Sequence, residues 1–171
     1  MKADLKIETR TKALHLGYYN EYLEKGKERL VIEIKPRMRQ VFISYSSYNK
    51  KFADEVKEQL YEPLKKSDIT IWMDAKILGG DDWRTEIEEA LKDSDIVLVL
   101  FDKNSVKSHY VTYEWAFALG EKGKDSVIPL VVEDCDIHQR IDKNALQRID
   151  FRNDKNWEEL VETIKSKLSK Q

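Results

Sequence analysis

From Asp95 to Phe101 the chain reads DIVLVLF, an almost unbroken run of β-branched and aliphatic side chains. A strand with one wet face alternates apolar and polar residues, whereas an unbroken run suits a strand covered on both faces, as in a parallel sheet. The C-terminal end of such a strand opens onto the sheet edge where these folds bind ligands. Here the run leads into a polar loop and then a helix whose early turns carry a lone carboxylate, Glu114, among aromatic and apolar residues. Chemistry is therefore expected within Ser94–Leu119.

The rest of the chain from Arg39 onward repeats the same grammar. Gln40–Tyr45, Ile69–Met73, Ile96–Phe101, Ser126–Val132 and Gln147–Phe151 read as strands. Lys50–Leu64, Asp82–Lys92, Tyr110–Glu121, Ile137–Asn144 and Asn156–Leu168 read as amphipathic helices between and after them. A βαβ series predicts a parallel sheet with helices on both faces, and right-handed crossovers leave few topologies. For five strands the flavodoxin-like order 2-1-3-4-5 is expected. Asn49 is placed to cap the first helix, and Pro63 to end or bend it near its last turn. Gly79-Gly80 punctuates a long connection over Asp74–Asp81, and long loops at a C-terminal edge tend to be functional.

At 171 residues the chain has room for one full core plus an appendage. Residues 1–38 stand outside the βαβ series and form the expected appendage, with 39–171 as the α/β domain. In the first segment Lys and Arg outnumber Asp and Glu, while the reverse holds for the rest. Tyr18, Tyr19, Tyr22 and Leu23 have the spacing of a helix face, Leu30–Ile34 resembles a short strand, and Pro36 makes a hinge. An extension that packs on the domain or mediates self-association is the reading.

A charged fraction of 36% and a net charge of −2 predict a soluble protein with no general affinity for nucleic acid or anionic membrane. No apolar run reaches the length needed to span a bilayer, and MKADLKIETR lacks a signal-peptide core, so a cytoplasmic location is expected. The single cysteine, Cys135, has no partner of its kind for a disulfide or a thiolate metal site and reads as a free thiol.

Several familiar chemistries fail on spacing. Gly79-Gly80 matches neither a dinucleotide fingerprint nor a phosphate loop. His15, His109 and His138 are scattered and form no zinc motif, so no metal is expected. A phosphoacceptor receiver domain shares the topology, but it needs an acidic cluster after the first strand and a Lys after the fifth. This chain has Ser44-Tyr45-Ser46-Ser47 and Asp150-Phe151-Arg152 there, and only Asp102 is in place, which leaves no magnesium-binding pair. Glu114 remains. Helical glutamates are usually surface residues, but this one follows a central strand and is flanked by Tyr113 and Trp115, with Tyr110 four residues before it.

VFISYSS at Val41–Ser47, IWMDAKILGGDDW at Ile71–Trp83, SDIVLVLFDKNSVKS at Ser94–Ser108, YVTYE at Tyr110–Glu114, VIPLVV at Val127–Val132 and RIDF at Arg148–Phe151 together resemble a bacterial Toll/interleukin-1 receptor (TIR) domain over about residues 39–168. In enzymatic members a Glu in the helix after the third strand cleaves NAD at the nicotinamide–ribose bond, and Glu114 matches it. Those members usually carry Trp four residues earlier, where this chain has Tyr110. The resemblance implies substrate contacts at Tyr45, Ser46 and Ser47 after the first strand. It implies others at Asp74, Gly79 and Trp83 in the following loop, which in the family often meets a neighbouring subunit.

The resemblance thus implies an NAD+ nucleosidase that needs no cofactor and takes NAD+ as substrate. Water capture would give ADP-ribose, and internal capture a cyclic ADP-ribose. A homo-oligomer held by TIR–TIR contacts, a downstream effector that senses the product, and a role in antiphage signalling are further expectations. A non-enzymatic adaptor acting by self-association is the alternative.

Overall fold

The computed structural model describes residues 38–73, 82–137, 141, 146 and 148–170. The expected extension over 1–38, and Asp74 and Gly79 of the long connection, lie outside them. Most of the helix expected over Ile137–Asn144 lies outside them too.

Five strands, β1 (Arg39–Ser44), β2 (Ile69–Met73), β3 (Ile96–Phe101), β4 (Val127–Val131) and β5 (Ile149–Asp150), form one sheet in the order β2-β1-β3-β4-β5. Every described pairing is parallel, with Val41 beside Ile96, Ser44 beside Val99 and Phe101 beside Val131. The expected fold class and strand order are therefore found. Helices α1 (Lys50–Lys65), α2 (Asp82–Asp93), α3 (His109–Lys122) and α4 (Trp157–Leu168) cover the sheet.

Strand alternation divides the core in two. Val41, Ile43, Ile96, Leu98 and Leu100 face α1 and α4, where they meet Val56, Leu60, Leu160 and Ile164. Phe42, Val97, Val99 and Phe101 face the other way, onto Ile87 and Leu91 of α2 and Val111, Trp115 and Ala118 of α3. All six residues of β3 are buried, which is why its sequence shows no polar alternation.

One sequence signal acts differently from expectation. Asn49 does precede α1, but its side chain makes no cap bond. Its amide donates instead to Asp102 Oδ2 at 2.9 Å, a charge-assisted bond stronger than a neutral cap. Pro63 lies inside α1, which continues to Lys65; so near the C-terminus its missing N–H costs a single helical bond. Helix α3 starts at a Ser108 cap, whose hydroxyl accepts from the Val111 amide at 3.3 Å. At its other end the Lys122 ammonium donates to the carbonyls of Leu91 (2.6 Å), Lys92 (2.8 Å) and Ser94, tying α3 to the end of α2. No described helix is long and apolar enough to cross a membrane.

Candidate active site

The chain runs from β1 outward to β2 and then returns past β1 to form β3. Connections leaving β1 and β3 therefore diverge, so their C-terminal ends form the switch point where open α/β sheets usually take ligands. Two buried carboxylates stand there, Glu114 at 7% exposure and Asp102 at 3%.

Glu114 occupies the core stripe of α3. The helix buries Val111, Glu114, Trp115 and Ala118, spaced i, i+3, i+4 and i+7. An apolar side chain at that position would contribute about 1.5–3 kcal/mol by burial, whereas an ionised carboxylate is costly to bury unless it is hydrogen-bonded. A hydroxyl meets it from the sheet. Ser44 follows Ile43, so alternation turns it to the α3 face, and its Oγ donates to Glu114 Oε2 at 2.5 Å. Ser44 is wholly buried.

Asp102 follows β3 and turns to the α1 side. Its Oδ1 accepts from the amides of Asn104 (2.7 Å) and Ser105 (2.6 Å), and its Oδ2 from Asn49. Ser105 Oγ in turn accepts from the Asp102 amide at 2.7 Å. The carboxylate thus closes the turn after β3 and ties it to the turn before α1.

The other described candidates differ in face and exposure. Tyr45 is half-buried and packs with the α1-side cluster, on the face opposite Ser44. Ser46 is buried, with its carbonyl accepting from the Asn49 amide at 2.7 Å, and Ser47 is exposed in the single helical turn that follows. Tyr110 and Tyr113, on α3 beside Glu114, are 53% and 43% exposed. Tyr113 donates to Glu88 Oε1 of α2 at 3.3 Å. The aromatics of this helix therefore divide: Trp115 packs inward and the two tyrosines present surface. Trp83 belongs to α2, and its side chain lies outside the described residues.

Ser44 was not among the sequence candidates. The alternation of QVFIS marks it as facing the same side as Phe42, and the spacing of Val111, Glu114 and Trp115 marks Glu114 as a core position. Those signals give each residue its face, and only the fold brings the two together. Cys135, half-buried beyond β4, is a poor nucleophile because burial pushes its thiol up, with Asp102 and Glu133 adding to the effect. A cleft of about 490 Å³ lined by Lys124, Asp125, Glu159, Glu162 and Lys167 opens near the N-terminal end of β4, away from all of these candidates.

The TIR domain profile matches residues 41–165. The chain belongs to the TIR family. An uncharacterized protein of Sinorhizobium fredii (strain NBRC 101917 / NGR234), y4lF, is 29% identical over 104 residues, or 59% of this chain and 32% of that protein. The chain therefore spans only about a third of that relative's length. Among solved structures, the TIR domain of the Toll-related receptor TRR-2 from Hydra magnipapillata superimposes with a TM-score of 0.53 at 15% identity, covering 76% of this chain and 94% of that one. A conserved protein from Enterococcus faecalis V583 gives 0.51 at 16% identity, covering 75% and 98%. At such identities the likeness is one of fold. Within this TIR domain, β1 ends at Ser44 and α3 is capped by Ser108, six positions before Glu114.

Proposed function

We propose that this TIR protein is an NAD+ nucleosidase in which Glu114 acts on the bond between nicotinamide and ribose. The observation that carries the reading is the burial of a carboxylate in the core stripe of α3, held by a strand hydroxyl at the β1–β3 switch point. A carboxylate at that position lowers the apolar content of the core, and such local conflicts concentrate at functional sites.

One carboxylate suffices for this chemistry. In ordinary glycoside hydrolysis an alkoxide leaves, so a general acid is needed as well. In NAD+ the C1′–N bond breaks heterolytically and its electron pair cancels the pyridinium charge, so nicotinamide departs neutral. The positive charge passes to the ribosyl oxocarbenium ion. Glu114 stabilises that charge and orients the ribose hydroxyls, a fixed negative charge aimed at developing positive charge. Water adds at C1′ and releases a proton, giving ADP-ribose; attack by an adenine nitrogen or a ribose hydroxyl of the same molecule gives a cyclic product. Tyr110 offers an exposed ring at the rim for the nicotinamide or ribose, and Tyr45, Ser46 and Ser47 line the turn after β1. Asp74, Gly79 and Trp83 complete the pocket from a neighbouring copy. In a bacterial setting the product would feed a downstream effector in antiphage signalling, or NAD+ loss itself would be the signal.

A second reading is favoured by the coverage of Glu114: a carboxylate 7% exposed and bonded to Ser44 could also serve only to join α3 to β1 in a self-associating adaptor. The two separate on one assay. NAD+ is incubated with rising concentrations of the full chain and nicotinamide is followed; release that steepens with protein concentration and disappears in Glu114→Ala is expected. No release at the highest concentration, or equal release by the variant, leaves the adaptor.

A further inference from the structure

Glutamate is a poor choice for holding charge at a fixed point, because three side-chain torsions separate its carboxylate from the backbone. Something must fix it. Ser44 is the last residue of β1, wholly buried and in register with Val99 of β3, so its backbone is held by the central ladder. Its hydroxyl reaches Glu114 Oε2 at 2.5 Å across 70 positions of sequence. The hydroxyl is therefore placed by the sheet while the carboxylate is carried by a helix, and the bond between them references one to the other.

We infer that Ser44 is a positioning residue for Glu114: by donating to Oε2 it sets the orientation of the carboxylate toward the ribose and never touches substrate itself. This rests on the nucleosidase reading above. The role differs from that of the neighbouring turn residues Ser46 and Ser47, which lie past the end of the strand. It also differs from simple packing, because a methyl group would fill the same space without aiming anything. A carboxylate displaced by about 1 Å can lose on the order of 100-fold in rate. Because orientation acts on the reacting centre and not on the rest of NAD+, the loss belongs in kcat and not in KM.

The test measures steady-state nicotinamide release from NAD+ by the full chain, with wild type and Glu114→Ala run first. Ser44→Ala is then expected to lower kcat by roughly 30- to 100-fold with KM moving less than about 3-fold, and Ser44→Thr, which restores the hydroxyl, to recover most of the rate. Should the alanine variant fail to fold, Ser44→Cys keeps the volume with a much weaker donor and carries the same expectation. Wild-type activity that depends on Glu114 but survives Ser44→Ala within about 3-fold overturns the inference and leaves the nucleosidase reading standing. So does a loss confined to KM, which would put Ser44 on the substrate, or an equal loss in Ser44→Thr. An inactive wild type, or one indifferent to Glu114→Ala, overturns the nucleosidase reading first and the inference with it.

Discussion

Two buried carboxylates stand at the same switch point and are held in opposite ways. Asp102, on the α1 side, is bound by the amides of Asn104 and Ser105 in its own turn and by the nearby Asn49 side chain. Glu114, on the α3 side, sits in a helix stripe otherwise made of Val111, Trp115 and Ala118 and bonds to a hydroxyl of a distant strand. A carboxylate paired with local backbone amides builds the turn it belongs to. One inserted into an apolar stripe is a cost to the core unless it is hydrogen-bonded, and here its bond is to a strand far away in sequence. The prediction is a division of labour: Glu114 for reaction, Asp102 for stability.

The largest effect should come from the α3 side. Glu114→Gln keeps the shape and leaves an oxygen to accept from Ser44, so unfolding free energy should stay within about 1 kcal/mol of wild type. Nicotinamide release should nevertheless fall at least about 100-fold, the scale of removing one electrostatic contact from a transition state. If instead the substitution unfolds the domain and the residual folded fraction keeps its turnover, the two carboxylates belong to one class and the contrast fails.

Asp102→Ala should invert that outcome. It removes three hydrogen bonds and leaves the buried Ser105 amide without its acceptor, at a cost of about 3 kcal/mol in urea or thermal unfolding. Release per folded molecule should remain within about 3-fold of wild type. A loss of turnover without a loss of stability would move Asp102 into the reaction.

The fold was legible from residues 39 onward because a parallel sheet buried on both faces writes itself as apolar runs. Ile96–Phe101 is called to the residue, and so is Ile69–Met73. The ends were less so. Among the described residues the fifth strand runs over Ile149–Asp150, with Phe151 of the expected Gln147–Phe151 beyond it, since pairing at a sheet edge depends on a neighbour that no local pattern records. Of the candidate site, the sequence singled out Glu114 by its neighbours and by family resemblance, but not its bond to Ser44 or the Asn49–Asp102 bond. Each joins residues more than 50 positions apart, and no spacing rule reaches that far. Asn49 illustrates the point: its type suits a helix cap, and a carboxylate from β3 took its amide instead.

That bond gives a smaller test of the α1 side. Asn49→Ala should cost about 1–2 kcal/mol, as expected for one hydrogen bond to a charged group. In an Asp102→Ala background it should cost close to nothing, because its partner is gone; additive costs would mean Asn49 stabilises α1 by another route.

A third carboxylate at this edge sharpens the contrast from the exposed end of the scale. Asp150, the last residue of β5, accepts from the Arg152 guanidinium at 2.6 Å and from the Arg152 amide at 3.0 Å. These bonds hold its carboxyl down, from an ordinary 3.8 to about 2. A carboxyl lowered in the folded state stabilises above its unfolded value and loses that contribution as pH falls through its folded value. The pair should therefore add to stability above about pH 4 and fade as the pH drops toward 2. Exposure to solvent makes the contribution small and salt-sensitive. Thermal midpoints of wild type and Arg152→Ala, compared from pH 6 down to pH 2 at low salt, should differ most at the upper end and converge at the lower, without change in nicotinamide release. A gap that widens as the pH falls would reverse the sign and show that Arg152 stabilises the edge by something other than its hold on Asp150.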